Sequence, residues 1–216
     1  MTIVSVKTGS DEDVRRIELS DGSLFSFKIC YLPDESAAAG LADSFADGCE
    51  INAAEEENFR FASACLRAEK AALRLIAHAE QTMFGLSRKL EKRGHDAACT
   101  RAVISRLCET GLLDDCRYAR LWLESRINRQ AASPRRLLAA LQSRGIDRRD
   151  AEAAVQETLN DETEQQLLER YVQKLKRANK LKNDDDDSVS AQRSLRYTLK
   201  GEGFSFSAIQ YFFDCM

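Results

Sequence analysis

A chain of 216 residues, 44% hydrophobic and 31% charged with a formal net charge of −3, has the composition of a globular protein of one or two domains. No apolar run approaches the ~20 residues of a membrane span, and no basic-then-apolar leader opens the chain, so a cytosolic location is expected in a bacterial cell. Seven cysteines without Cys-x-x-Cys spacing, beside His78 and His95 as the only histidines, argue against a zinc site or a disulfide framework and for reduced thiols packed as small apolar residues.

Residues 2–7, 14–20 and 23–32 alternate as strands do, and Asp21-Gly22 between the last two suits the tight turn of a hairpin. Pro33 closes this hairpin, which is too small to stand alone and must pack on something. Ser36–Phe45 reads as a short helix ended near Asp47-Gly48. Asn52 with Glu55 is a capping box at the head of a long helix reaching about residue 80. Phe59, Ala62, Leu66, Ala72, Leu73 and Ile76 give its period, and Glu69 interrupts that stripe, which predicts a half-exposed middle. Thr82 caps a second helix bearing Phe84, Leu86 and Leu90, which stops at Gly94 after Lys89, Lys92 and Arg93. A third helix, Ala97–Thr110, carries Val103, Ile104 and Leu107.

Gly111 then breaks the chain, and Leu112 and Leu113 are expected to re-enter the core. Asp114 or Asp115 caps the next helix. Cys116, Ala119, Leu123 and Ile127 form its buried stripe, with Tyr118 and Trp122 beside them, and Trp122 is read as core. Arg117, Arg120 and Asn128 fall on the solvent side, and Arg126 and Arg129 trail off the end. Ser133-Pro134 is an N-cap followed by proline at the first helical position. Leu137, Leu138 and Leu141 lead from it to Gly145, and Asp147–Leu159 follows with Ala151, Ala154 and Val155. Glu162–Lys180 carries Leu167, Leu168, Tyr171, Val172 and Leu175. After a break at Asn183–Ser188, one helix bears Leu195 and Leu199 up to Gly203, and a last one bears Ile209, Phe212 and Phe213. The acidic run Asp184–Asp187 lacks the pattern of a calcium loop and reads as a solvated connection.

One spacing recurs three times: Leu90-x-x-x-Gly94, Leu141-x-x-x-Gly145 and Leu199-x-x-x-Gly203. Each glycine is followed by His95, Ile146 or Phe204 and then by an N-cap residue. Six and ten residues beyond each glycine stand Thr100 and Ile104, Ala151 and Val155, Ile209 and Phe213. A period of about fifty residues is that of a helical array. The expected fold is therefore mainly α: three tandem three-helix repeats in an elongated, curved body, at 52–111, 112–160 and 161–216, after an N-terminal hairpin and acidic segment at 1–51.

Charge is unevenly spread. Residues 1–58 hold thirteen acids against Lys7, Arg15, Arg16 and Lys28, whereas residues 117–149 hold nine arginines against Glu124 and Asp147. Such polarity implies one basic working face, with the acidic end either solvating the molecule or competing for that face. Guanidinium forks suit carboxylate and phosphate partners, although arginines can also serve only to solubilise. No Ser/His/Asp order, phosphate-cradling glycine loop or metal-ligand set points to an enzyme or a cofactor, and Asp114-Asp115 is better placed for capping than for acid–base work.

The stretch Gly111-Leu-Leu-Asp-Asp-x-Arg-Tyr-Ala-x-x-Trp through Arg126, then Ser133-Pro134-x-Arg136-Leu137, Arg144-Gly-Ile146 and Gly203-Phe-Ser-Phe-x-x-Ile209, resembles the RecX family of recombination regulators over about residues 60–216. The resemblance implies three tandem three-helix repeats. It also implies binding in the helical groove of the RecA–DNA filament, with inhibition of strand exchange, ATP hydrolysis and stimulated repressor cleavage, and hence a place in DNA repair, homologous recombination and the SOS response. Two departures stand out: Ala77-His78-Ala79-Glu80-Gln81-Thr82 replaces an arginine-rich join of the first two helices, and Ser133 replaces a glycine. His78 is then a surface residue. Arg117, Arg120, Arg126, Arg129, Arg135, Arg136, Arg144 and Arg148 are the expected contact face of a monomer that needs no cofactor and no membrane. The rival reading is a helical-repeat protein binding single- or double-stranded DNA directly, without RecA, which the acidic net charge disfavours for a duplex binder.

Overall fold

A computed structural model describes residues 1–9, 13–32, 48–178 and 189–215. The expectations for Pro33, for a helix at Ser36–Phe45 and for the acidic run Asp184–Asp187 fall outside these residues. The chain divides into two compact units, residues 1–113 and 114–216.

In the first unit the alternating stretches become three strands, β1 (Ile3–Thr8), β2 (Val14–Leu19) and β3 (Leu24–Lys28). They pair antiparallel in the order β1-β2-β3, so the expected hairpin is a three-stranded sheet. Gly22 supplies the positive φ of the β2–β3 turn, and the Asp21 carboxylate accepts from the Ser23 N–H at 3.0 Å. The third strand stops at Lys28, because Ile29–Tyr31 close into a 3-10 turn. Three helices follow: α1 (Ala53–His78), α2 (Met83–Lys92) and α3 (Ala97–Glu109). The Asn52–Glu55 capping box opens α1, and Thr82 and Asp96 cap the other two.

Helix α1 is buried on more than one side. Its Phe59 ring stacks on Phe27 of β3 at 5.2 Å, while Ala62, Cys65, Ala68 and Ala72 are closed off by the rest of the unit. This wide buried arc corrects the expectation for Glu69. The residue is only 7% exposed, and its Oε1 accepts from Lys28 Nζ of β3 at 3.0 Å. The sheet covers the position that the helical stripe alone left open, and a lysine comes with it. Among the described residues, four buried side-chain oxygens of this unit, on Tyr31, Ser63, Glu69 (Oε2) and Thr100, have no protein hydrogen-bond partner.

The second unit contains α4 (Asp115–Arg129), α5 (Pro134–Gln142), α6 (Arg148–Thr158), α7 (Asp161–Arg177), α8 (Val189–Gly201) and α9 (Phe206–Asp214). One core runs through all six, from Ala119, Leu123 and Leu141 to Leu167, Tyr171, Leu199 and Ile209. Ser133, the N-cap of α5, donates to the Glu202 carboxylate, and the Arg135 N–H donates to the Glu202 carbonyl at 3.0 Å. Gly203 packs beside them, where a Cβ would make ordinary contact 3.5 Å from Arg135 N. Glu164 of α7 accepts from both the N–H and the hydroxyl of Ser205 at 2.7 Å, which fixes the start of α9.

The repeated glycine spacing has one structural meaning. Gly94, Gly145 and Gly203 have φ of 84°, 85° and 87°, and the N–H of the next residue turns back to the carbonyl of Leu90, Leu141 or Leu199 at 3.2–3.3 Å. That is the left-handed helix stop bonded back to the last turn, for which glycine carries no Cβ penalty. Thr100, Ala151 and Ile209, six residues beyond each glycine, are all buried.

The first unit's core sets two expectations for stability. Breaking a buried ion pair from one side strands the other charge, so Lys28→Met should lower the unfolding free energy by about 3 kcal/mol. Adding Glu69→Leu should recover most of that loss in urea titrations. Burial pushes the Tyr31 phenol and the Cys65 thiol up, so both stay protonated in the folded protein when the unfolded chain has already ionised. Folded protein then binds more protons, and stability must fall as pH rises past the ordinary thiol value of about 8.5. Cys65→Ala should lose stability less steeply than the parent between about pH 8 and 10.

Candidate functional site

Helix α4 carries the densest functional signal. Asp114 caps it, accepting from the Arg117 N–H at 3.0 Å, and Asp115 begins it, buried. Its inward stripe is Asp115, Ala119, Leu123 and Ile127, at a strict spacing of four. Cys116, expected on that stripe, is exposed, because it lies about 100° around the helix from Asp115. Leu112, expected in the core, is 45% exposed, and Leu113 alone re-enters it.

Trp122 is not the core residue expected. It is half-buried at the edge of the core, and two guanidinium groups converge on its ring. Arg126, one turn along α4, lies 5.6 Å from the ring centroid, and Arg144, from the end of α5, lies 4.5 Å from it. The Leu141-to-Gly145 stop delivers Arg144 to this place, and its Nη1 also donates to the Ala140 carbonyl at 2.6 Å. The ring's negative face holds both cations. An anion meeting this corner would gain from two positive charges that are already positioned.

The other expected contact residues divide into three situations. Arg120 and Arg148 face acids of α6: Arg120 lies 4.0 Å from Glu157, and Arg148 lies 2.7 Å from Glu152, which raises its pKa. Such exposed pairs are weak and exchangeable. Arg135 and Arg136 stand exposed on the first turn of α5, and Arg135 reaches the Gly201 carbonyl at 3.3 Å. Arg136 lies near Tyr171, whose phenol is pushed up by burial and by Glu202. Arg129 is exposed at the end of α4, whereas Arg117, expected on the solvent side, is half-buried. The structure thus gathers Arg126 and Arg144 on one ring and spreads the remaining six over α4, α5 and α6.

Helix α8 holds a second group that the charge count over residues 117–149 passed over. Arg193, Arg196, Tyr197 and Lys200 are all exposed along it. The signal was in the sequence: residues 189–201 contain no acid at all.

The helices that carry the arginine corner lie within a stretch that a family model matches. The family model for the second three-helix domain of RecX matches residues 114–155, the span of α4–α6. The regulatory protein RecX of Treponema pallidum (strain Nichols) is 38% identical over 117 residues, which cover 54% of this chain and 71% of that protein. This chain belongs to the RecX family. The RecX of Halorhodospira halophila is 40% identical over 91 residues, covering 42% of this chain and 53% of that one. A crystal structure of a regulatory protein RecX matches with a TM-score of 0.70 at 19% identity, covering 99% of this chain and 98% of that one. The crystal structure of RecX from Lactobacillus salivarius matches with a TM-score of 0.54 at 22% identity, covering 70% and 95%. RecX crystal structures therefore share the mainly helical fold found here, and the RecX relatives are regulatory proteins.

The two kinds of arginine predict different stabilities. Arg144→Met should cost about 1 kcal/mol of unfolding free energy through loss of its ring contact. Arg148→Met should leave the urea midpoint where it is.

Proposed function

We propose that this RecX-family protein binds in the groove of the RecA–DNA filament and restrains strand exchange, ATP hydrolysis and repressor cleavage. It would thereby temper recombinational repair and the SOS response in the cytoplasm. The observation that carries the proposal is the Trp122 corner, where Arg126 and Arg144 are held ready for an anionic partner within the segment that matches the RecX model. Arg120, Arg129, Arg135, Arg136 and Arg148 extend the contact, with Arg117 contributing at its edge. Their exposed pairs would give each contact only about 0.2–1 kcal/mol, so useful affinity comes from several engaged at once on a repeating partner. We further propose the four-part organisation read from the sequence, 1–51, 52–111, 112–160 and 161–216, as the functional modules, with the protein acting as a monomer.

Co-sedimentation with RecA filaments on single-stranded DNA across a salt series tests the proposal. Binding should weaken steeply with salt if phosphates share in it. Arg126→Glu with Arg136→Glu should weaken filament inhibition at least tenfold, about 1.4 kcal/mol. Inhibition unchanged by this pair would overturn the assignment of the face. Binding to duplex DNA as tight without RecA as with it would favour the direct DNA-binding reading.

A further inference from the structure

Helices α7 and α9 carry none of the arginines of the expected contact face, yet the seam between them is an open groove. Two hollows follow it. The larger, of about 450 Å³, has Asp161, Glu162, Ala208 and Tyr211 on its walls. The second, of about 280 Å³, has Glu169, Val172, Lys176 and Phe212. Gln165 lines both, so they are stretches of one groove. It runs along α7 from residue 161 to residue 176, which is about four turns or ~22 Å. Four of the nine residues of α9 are aromatic and none is a cation. Tyr211 is 58% exposed on the groove wall, and Phe206, which opens the helix, is 78% exposed. Single exposed apolar side chains are ordinary, but a groove with a bare ring on its wall and charges on its rim has the make-up of a docking surface. The rim is acidic: Asp161, Glu162 and Glu169 are exposed along it, against Lys176 at the far end.

We propose that this groove docks a basic amphipathic helix of a partner protein. The occupant's apolar stripe would lie on Ala208, Val172 and the rings of Tyr211 and Phe212. Its lysines or arginines would meet Asp161, Glu162 and Glu169. A groove of four turns between two helices suits a third helix of about fifteen residues, whose anchors recur at i, i+3, i+4 and i+7. Charge complementarity selects a cationic occupant, and the same carboxylates repel a nucleic acid or an acidic polypeptide. Acids at one end and Lys176 at the other favour an occupant that places its positive N-terminal end at Asp161 and Glu162. This groove and the arginine face take partners of opposite charge, so the protein can keep one activity while lacking the other.

The experiment is fluorescence anisotropy of a labelled helical peptide of about 18 residues, titrated with the 216-residue protein in the absence of RecA and DNA. The peptide carries leucines at i, i+3, i+4 and i+7 and lysines on the flanks of that stripe. One control scrambles the same residues so that the stripe is lost, and another replaces the lysines by glutamates. Thermal melts of each protein variant confirm that it folds. The striped basic peptide should bind at least about tenfold tighter than either control. Glu162→Lys with Glu169→Lys should weaken its binding at least about tenfold, and Tyr211→Ala at least about fivefold, whereas Tyr211→Phe, which keeps the ring, should bind like the parent. Four results would overturn the proposal: no binding by the parent protein, equal binding of either control peptide, unchanged binding by Tyr211→Ala, or a dimer in sedimentation velocity that Tyr211→Ala abolishes, which would give the groove to a second copy of this chain.

Discussion

Each middle helix ends on a glycine at positive φ, and the next N–H turns back onto the carbonyl of a fully buried leucine. This backbone stop governs where the third helix of each triplet can go. Gly94, Gly145 and Gly203 repeat it with nearly the same angle and the same hydrogen bond, so the three helix–turn–helix joints are conformationally alike despite different side chains around them. A Cβ at such a φ is strained whatever space surrounds it. At Gly203 the positive φ is the constraint, since a Cβ there would make only ordinary contact with α5, 3.5 Å from Arg135 N. The second and third triplets share one core, stitched by Ser133 to Glu202 and by Glu164 to Ser205.

The same stop places chemistry. Arg144 precedes Gly145 and reaches Trp122 because α5 ends there. Arg126 arrives at the ring by simple helical spacing. One residue is thus positioned by local periodicity and the other by a tertiary turn, and only together do they make a doubly charged corner. The arginines of α4 and α6 that face Glu157 and Glu152 have a different character. They lie against carboxylates and not against a ring, and a partner must compete with those acids for them.

Much of the fold was legible because glycine stops, caps and 3.6-residue periods are local signals. Asn52, Thr82, Asp96, Asp114, Ser133, Asp147 and Ser205 all cap as their residue types suggest. Errors came where a second surface covered a helix. Glu69 looked exposed because a one-sided stripe ignores the sheet on the other side of α1, and its partner Lys28 lies 41 residues away in sequence. Cys116 and Leu112 were misplaced because apolar character was weighed above phase: the buried position is the acidic Asp115, at the head of the helix. Trp122 stands beside the buried stripe, which suggests core, but an indole can be half covered and still offer its face to cations. The basic stretch was found by counting net charge. Net charge singles out residues 117–149 over α8, where the cations are fewer and residues 189–201 themselves contain no acid.

Among the described residues, the four buried oxygens lacking protein partners all belong to the first unit, while the arginines of the expected contact face and the α8 stripe all belong to the second, and the two cores have no residue in common. Robustness and recognition therefore draw on different parts of the chain. Isosteric apolar replacements such as Thr100→Val or Tyr31→Phe remove desolvated hydroxyls without touching any proposed contact. The amino-terminal half is in this sense a reservoir of thermal headroom, which selection or engineering can draw on while the recognition chemistry is left alone.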